Sequence, residues 1–152
     1  MKDLKVLLVD DEEEFVKALS ERLQMRDFHS DTVFDGEQAL EFVKDKDEPD
    51  VMVLDLKMPG IDGIEVLRQV QKAYPTIEVI ILTAHGTEKD EEEARRLGAF
   101  DYMQKPVSID VLAKMVKSAY RRKLEKAMGA ASLAEAGVFE TAKKVLDEED
   151  DE

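Results

Sequence analysis

The sequence predicts an α/β protein: a five-stranded parallel sheet with helices packed on both faces. Three observations carry this. Short apolar runs alternate with segments of helical spacing. The alternation repeats five times. Turn residues (Asp35-Gly36, Pro49-Asp50, Pro59-Gly60, Asp62-Gly63, Gly86 and Gly98) sit in the gaps. Strand alternating with helix in this way means a doubly wound parallel sheet.

The strands come first from composition. Leu4–Val9, Val51–Leu54 and Ile77–Leu82 are rich in Val, Ile and Leu and nearly free of charge. Such runs suit strands covered on both faces. Ser30–Phe34 and Ala99–Met103 are weaker runs and are read as outer or later strands. The helices come from spacing. In Glu13–Met25, Phe15, Val16, Ala18, Leu19, Leu23 and Met25 recur mostly at three or four residues. Glu37–Val43, Gly63–Tyr74 and Val107–Met128 repeat the pattern. Glu88–Leu97 is so charged that it reads as a marginal, exposed helix. After about residue 128, Gly129-Ala130-Ala131-Ser132 breaks the pattern, and Leu133–Leu146 allows one further helix. The expected domains are 1–127, the α/β unit, and 128–152, a tail with a short helix and an acidic disordered end.

Bulk composition narrows the function. The chain has 152 residues, 43% of them hydrophobic, enough for one domain with a real core. No apolar run approaches the ~20 residues that span a bilayer, and Met1-Lys2-Asp3-Leu4 opens no signal peptide. A cysteine count of 0 excludes disulfides, thiolate metal sites and cysteine nucleophiles. The expectation is a cytoplasmic protein. The net charge of −14 disfavours nucleic acid and anionic membranes. Two charge runs stand out: six basic residues (Lys114, Lys117, Arg121, Arg122, Lys123, Lys126) and six acids from Asp147 to Glu152. Each is read as a solvated face or tail.

In open parallel sheets, ligands bind outside the carboxyl ends of the strands. Asp10 and Asp11 follow the first strand, Asp55 ends the third, Thr83 follows the fourth, and Lys105-Pro106 follows the fifth. Three carboxylates, a hydroxyl and an ammonium would thus meet on one rim. Crowded carboxylates repel unless a cation sits among them, and Mg²⁺ takes hard oxygen ligands. Phosphoryl transfer asks for positioning and charge stabilisation, and aspartate is a phosphoryl-accepting nucleophile.

Val9-Asp10-Asp11, Asp55-Leu56-Lys57-Met58-Pro59-Gly60, Thr83-Ala84 and Gly98-Ala99-Phe100-Asp101-Tyr102-Met103-Gln104-Lys105-Pro106 resemble the receiver domains of two-component response regulators. Each motif alone is weak. All four, in order and at strand ends, are specific, and the resemblance covers roughly residues 3–125. It implies a flavodoxin-like (βα)5 fold with strand order 2-1-3-4-5. It implies that Asp55 accepts a phosphoryl group from a sensor histidine kinase or histidine phosphotransfer protein. Asp11 and Asp55 would bind Mg²⁺ directly, Asp10 largely through water, and the Lys57 carbonyl would add a ligand. Lys105 would pair with the phosphoryl group and Thr83 would bond one of its oxygens. Tyr102 matches the aromatic switch residue, which turns inward as Thr83 moves. The Lys105–Pro106 bond is expected cis. The output would be an altered surface over about residues 88–120, read by an unknown protein target or by a phosphorylation-dependent homodimer of a chain otherwise monomeric.

Blander readings stand beside these. Asp10-Asp11 can cap the following helix, with Glu12, Glu13 and Glu14 in its acidic first turn. Thr83, Lys105 and Tyr102 can be ordinary strand-end, surface and packing residues. Asp62 reads as a cap before Gly63, His29 as a lone surface histidine, and His85, two residues after Thr83, as a lone histidine that either is incidental or tunes access to the site. Lys57 puts a cation at a variable position two residues after Asp55. The tail holds no helix-turn-helix, so a stand-alone regulator acting on proteins and not on DNA is expected, with no classical enzymatic activity. The run 133–142 has the Gly-x-aromatic-x-x-Ala spacing of a tetratricopeptide half-repeat, and one half-repeat makes no solenoid. Two other functions compete. A phosphatase of the haloacid dehalogenase type would want Asp-x-Asp after the first strand, where this chain has Asp10-Asp11. A degenerate scaffold receiver would not need an intact set.

Overall fold

The computed structural model describes residues 4–45 and 48–129. Five strands alternate with five helices: β1 (Lys5–Val9), α1 (Glu13–Gln24), β2 (His29–Val33), α2 (Gly36–Asp45), β3 (Val51–Leu54), α3 (Gly63–Ala73), β4 (Glu78–Thr83), α4 (Glu88–Arg96), β5 (Asp101–Gln104) and α5 (Ile109–Met128). All strand pairs are parallel, in the order β2-β1-β3-β4-β5. The boundaries expected from sequence hold to within about two residues.

Period-two alternation divides the core. Leu7, Val9, Met52, Leu54, Val79 and Ile81 face one layer and pack with Ala39, Val43, Val66, Leu67 and Val70 of α2 and α3. Val6, Leu8, Val51, Val53, Ile80 and Leu82 face the other and pack with Val16, Leu19, Leu23, Leu112 and Val116 of α1 and α5. The central strands carry apolar side chains on both faces because both faces are covered. The order reverses between β1 and β3, so their carboxyl ends splay apart into a crevice.

α4 is anchored differently. Only Ala94 of its residues is buried. A Thr87/Asp90 capping box starts it. Ion pairs tie it to the body: Lys57–Asp90 (3.4 Å), Arg68–Glu93 (3.5 Å) and Arg95–Asp101 (3.1 Å). Asp62 caps α3 as expected, its side chain accepting from the Glu65 N–H at 3.0 Å.

The basic run on α5 is not simply a solvated face. Arg122 and Lys126 hold the fully buried Glu78, at 2.6 and 2.9 Å, and Lys123 pairs with Asp50. Arg122 also donates to the Gly98 carbonyl at 3.1 Å and lies over the Phe100 ring. The amino ends of β3 and β4 are thereby bolted to the last turns of α5. Among the described residues no helix is long and apolar enough to cross a membrane. The expected tail helix, the half-repeat spacing and the acidic end all lie outside the described residues.

Candidate functional site

The crevice at the carboxyl ends of β1 and β3 brings together the acids expected there. Asp10 and Asp55 are buried, and Asp11 is exposed. One carboxylate oxygen from each lies within 4.8 Å of the others. The register explains the meeting: Val9 pairs with Leu54, and the Asp55 N–H donates to the Val9 carbonyl at 3.0 Å. The Lys57 N–H reaches Asp55 Oδ1 at 3.4 Å.

Lys105 follows β5, its backbone N–H donating to the Thr83 carbonyl at 3.0 Å. Its ammonium stands 2.6 Å from Asp10, 3.0 Å from Glu12 and 3.8 Å from Asp55. It also lies 4.5 Å from the centre of the Phe15 ring. The Lys105–Pro106 bond is cis. Burial pushes the Asp10 carboxyl up; Lys105 and the Glu12 N–H pull it back, and the charge of Asp55 adds to the rise. Burial pulls Lys105 down, but its bonds to Asp10 and Glu12 outweigh that and hold its pKa raised. Three carboxylates within 4.8 Å of one another thus face one ammonium, which suits a further cation.

Thr83 is fully buried, and its Oγ1 has no hydrogen-bond partner among the described residues. A buried unpaired hydroxyl costs about 1–3 kcal/mol, and an acceptor oxygen entering the crevice would remove that cost. Tyr102 is turned inward and buried, its hydroxyl also unpartnered. Burial, then the charges of Asp90, Glu91 and Asp55, raise its pKa. The hydroxyl sits against Gly86, where an added Cβ would fall 1.4 Å from it. A Gly86→Ala variant is therefore expected to turn Tyr102 out to solvent, since the ring is the movable partner. Tetranitromethane should then nitrate Tyr102 severalfold faster, with Tyr74 and Tyr120 as internal references.

Asp10-Asp11 do not cap α1: its N-cap is Glu12, with no side-chain cap bond. Asp10 instead accepts the Glu12 N–H at 2.9 Å. His29 is exposed and pairs with Asp31, and His85 is exposed. Sequence reading did not find Glu12 and Phe15 as neighbours of Lys105, nor Gly86 as the seat of Tyr102. Glu12 passed as one more acid in a helix start, and Gly86 as a turn.

The response regulator receiver domain model matches residues 6–117, and the chain belongs to that family. It is 39% identical over 118 residues to the transcriptional regulatory protein CpxR of Escherichia coli (strain K12), covering 78% of this chain and 50% of that protein. It thus spans about half the length of the curated relatives it matches. Among solved structures it resembles the Francisella response regulator 1452 receiver domain (32% identity, TM-score 0.72, 79% and 98% of the two chains). A receiver domain protein from Clostridium thermocellum is similar at 32% identity and TM-score 0.73, over 78% and 95% of the chains. The chain is a receiver domain of two-component signalling, a signalling module.

Proposed function

We propose that Asp55 accepts a phosphoryl group from a phosphohistidine on a sensor kinase or phosphotransfer protein. The observation that carries this is the meeting of Asp10, Asp11 and Asp55 within 4.8 Å, with the Lys105 ammonium 3.8 Å from Asp55. An Asp55 carboxylate oxygen attacks phosphorus. A P–O bond forms, the P–N bond breaks, and the imidazole leaves with the electron pair and takes up a proton. Lys105 lies close enough to meet the phosphoryl charge, and the Thr83 hydroxyl can donate to a phosphoryl oxygen.

The cluster of Asp10, Asp11 and Asp55 fits Mg²⁺, whose ligands are hard oxygens; these carboxylates, with the Lys57 carbonyl, would hold the ion. Bound there, Mg²⁺ would neutralise charge between the acids and the incoming phosphate. Thr83 and Tyr102 then bias two packings of the surface formed by α4, β5 and α5. Another protein, or a second copy of the chain, reads that surface.

Incubation with acetyl phosphate and Mg²⁺, followed by intact mass, tests this. One phosphoryl adduct per chain is expected, lost in Asp55→Ala and in chelator. Steady turnover of unrelated phosphate esters would point instead to a phosphatase, and no adduct to a scaffold.

A further inference from the structure

Lys57 lies two residues after Asp55, and its backbone N–H already touches the Asp55 carboxylate. Its side chain does not turn to the acids. It crosses to α4, where the ammonium stands 3.4 Å from Asp90 Oδ2. Asp90 is also the capping-box acid of that helix: it accepts the Thr87 N–H at 3.0 Å, and its own N–H donates to Thr87 Oγ1 at 3.1 Å. With only Ala94 buried, α4 depends on its ionic ties. The other two act further along, at Glu93 and Arg95. Among these ties, Lys57–Asp90 alone holds the first turn.

We infer that Asp90 is a positioning residue of the phosphoryl site, because it holds the Lys57 ammonium on α4 and away from Asp55. The first turn of α4 and a phosphoryl group on Asp55 then compete for one cation. This rests on Asp55 being the acceptor. A phosphoryl group brings about −1.5 to −2 of charge, against the single charge of Asp90, so it draws Lys57 across and frees the start of α4. Coupling of this kind is reciprocal. Removing the charge of Asp90 must strengthen anion binding at Asp55 by the same factor that phosphorylation weakens the tie to α4. Lys57 is exposed and Asp90 half-buried, with side-chain accessibilities of 53% and 23%. A largely solvated pair of this kind sets the effect at about two- to fivefold.

The test uses the full chain, Mg²⁺ and beryllofluoride, an acyl-phosphate mimic, with affinity read by calorimetry. Asp90→Asn keeps an oxygen for the Thr87 N–H and removes only the charge. It should bind about two- to fivefold more tightly than the parent. The gain should shrink at about 1 M salt, where the screening length falls to about 3 Å, and vanish in a Lys57→Met background. In the parent, amides 88–91 should exchange with solvent faster once beryllofluoride is bound; in Lys57→Met, binding should leave their exchange unchanged. Equal affinity of parent and Asp90→Asn overturns the inference, as does a gain that survives in Lys57→Met, which a merely structural role for Asp90 would give. Failure of the acceptor reading is separate: no variant, parent included, would then bind beryllofluoride.

Discussion

Gly63→Ala is expected to destabilise the domain by about 3 kcal/mol and to slow phosphoryl uptake about a hundredfold. Gly63 opens α3 directly behind Asp55. An added Cβ would lie 2.3 Å from the Asp55 carbonyl oxygen and 2.7 Å from Leu56 Cα. Those are backbone atoms, so no side chain can swing aside. Alanine gains up to about 1 kcal/mol over glycine in helix propensity, but overpacking of this kind costs about 1–3 kcal/mol or more. The clash wins because its relief requires the end of β3 to move away from α3. That movement displaces the Asp55 carboxylate from Asp11 and Lys105, and misplacement by about 1 Å can cost on the order of a hundredfold in rate. Urea unfolding gives the first number, as a lower midpoint with unchanged slope. A time course of the acetyl phosphate adduct gives the second.

Arg122→Met is expected to cost about 3 kcal/mol while leaving phosphoryl uptake intact wherever the protein is folded. Glu78 has no side-chain exposure, and Arg122 approaches its Oε2 at 2.6 Å. Removing one partner of a buried ion pair costs about 3–5 kcal/mol because the remaining charge stays buried. Lys126, 2.9 Å from the other oxygen, holds the loss toward the lower end. The double variant Glu78→Gln/Arg122→Met should recover most of the loss, since a neutral amide needs no counter-charge. Arg122→Lys should recover only part, because lysine cannot bond Glu78, reach the Gly98 carbonyl and stack on Phe100 together. The cluster sits at the amino ends of β3 and β4, opposite Asp55. The two variants thus separate stability from chemistry.

The parts legible in the sequence share a cause. A strand covered on both faces must be apolar throughout, so Val51–Leu54 announced itself, and Asp55 stood out as the acid that ends it. Asp10, Thr83 and Lys105 were found in the same way, as polar residues at the carboxyl ends of apolar runs. What stayed hidden were pairings with no period. Glu78 lies inside the apolar run Ile77–Leu82, yet it is buried because α5 supplies Arg122 from 44 residues away, with Lys126 beside it. The basic residues of α5 looked like a solvated face for the same reason. Lys57 and Asp90 meet only because the turn after β3 lies beside the start of α4. Tyr102 could be placed by its motif, but its seat against Gly86 is a contact between loop and strand that no spacing announces.

Three carboxylates share the crevice, and Asp55 is the proposed acceptor among them. Borohydride reduces an aspartyl phosphate to homoserine, which marks the modified position permanently. The chain should be treated with acetyl phosphate and Mg²⁺, reduced, digested and sequenced by mass. Homoserine is expected at position 55 alone. Homoserine at position 10 or 11, or at none of the three, would contradict phosphoryl acceptance by Asp55.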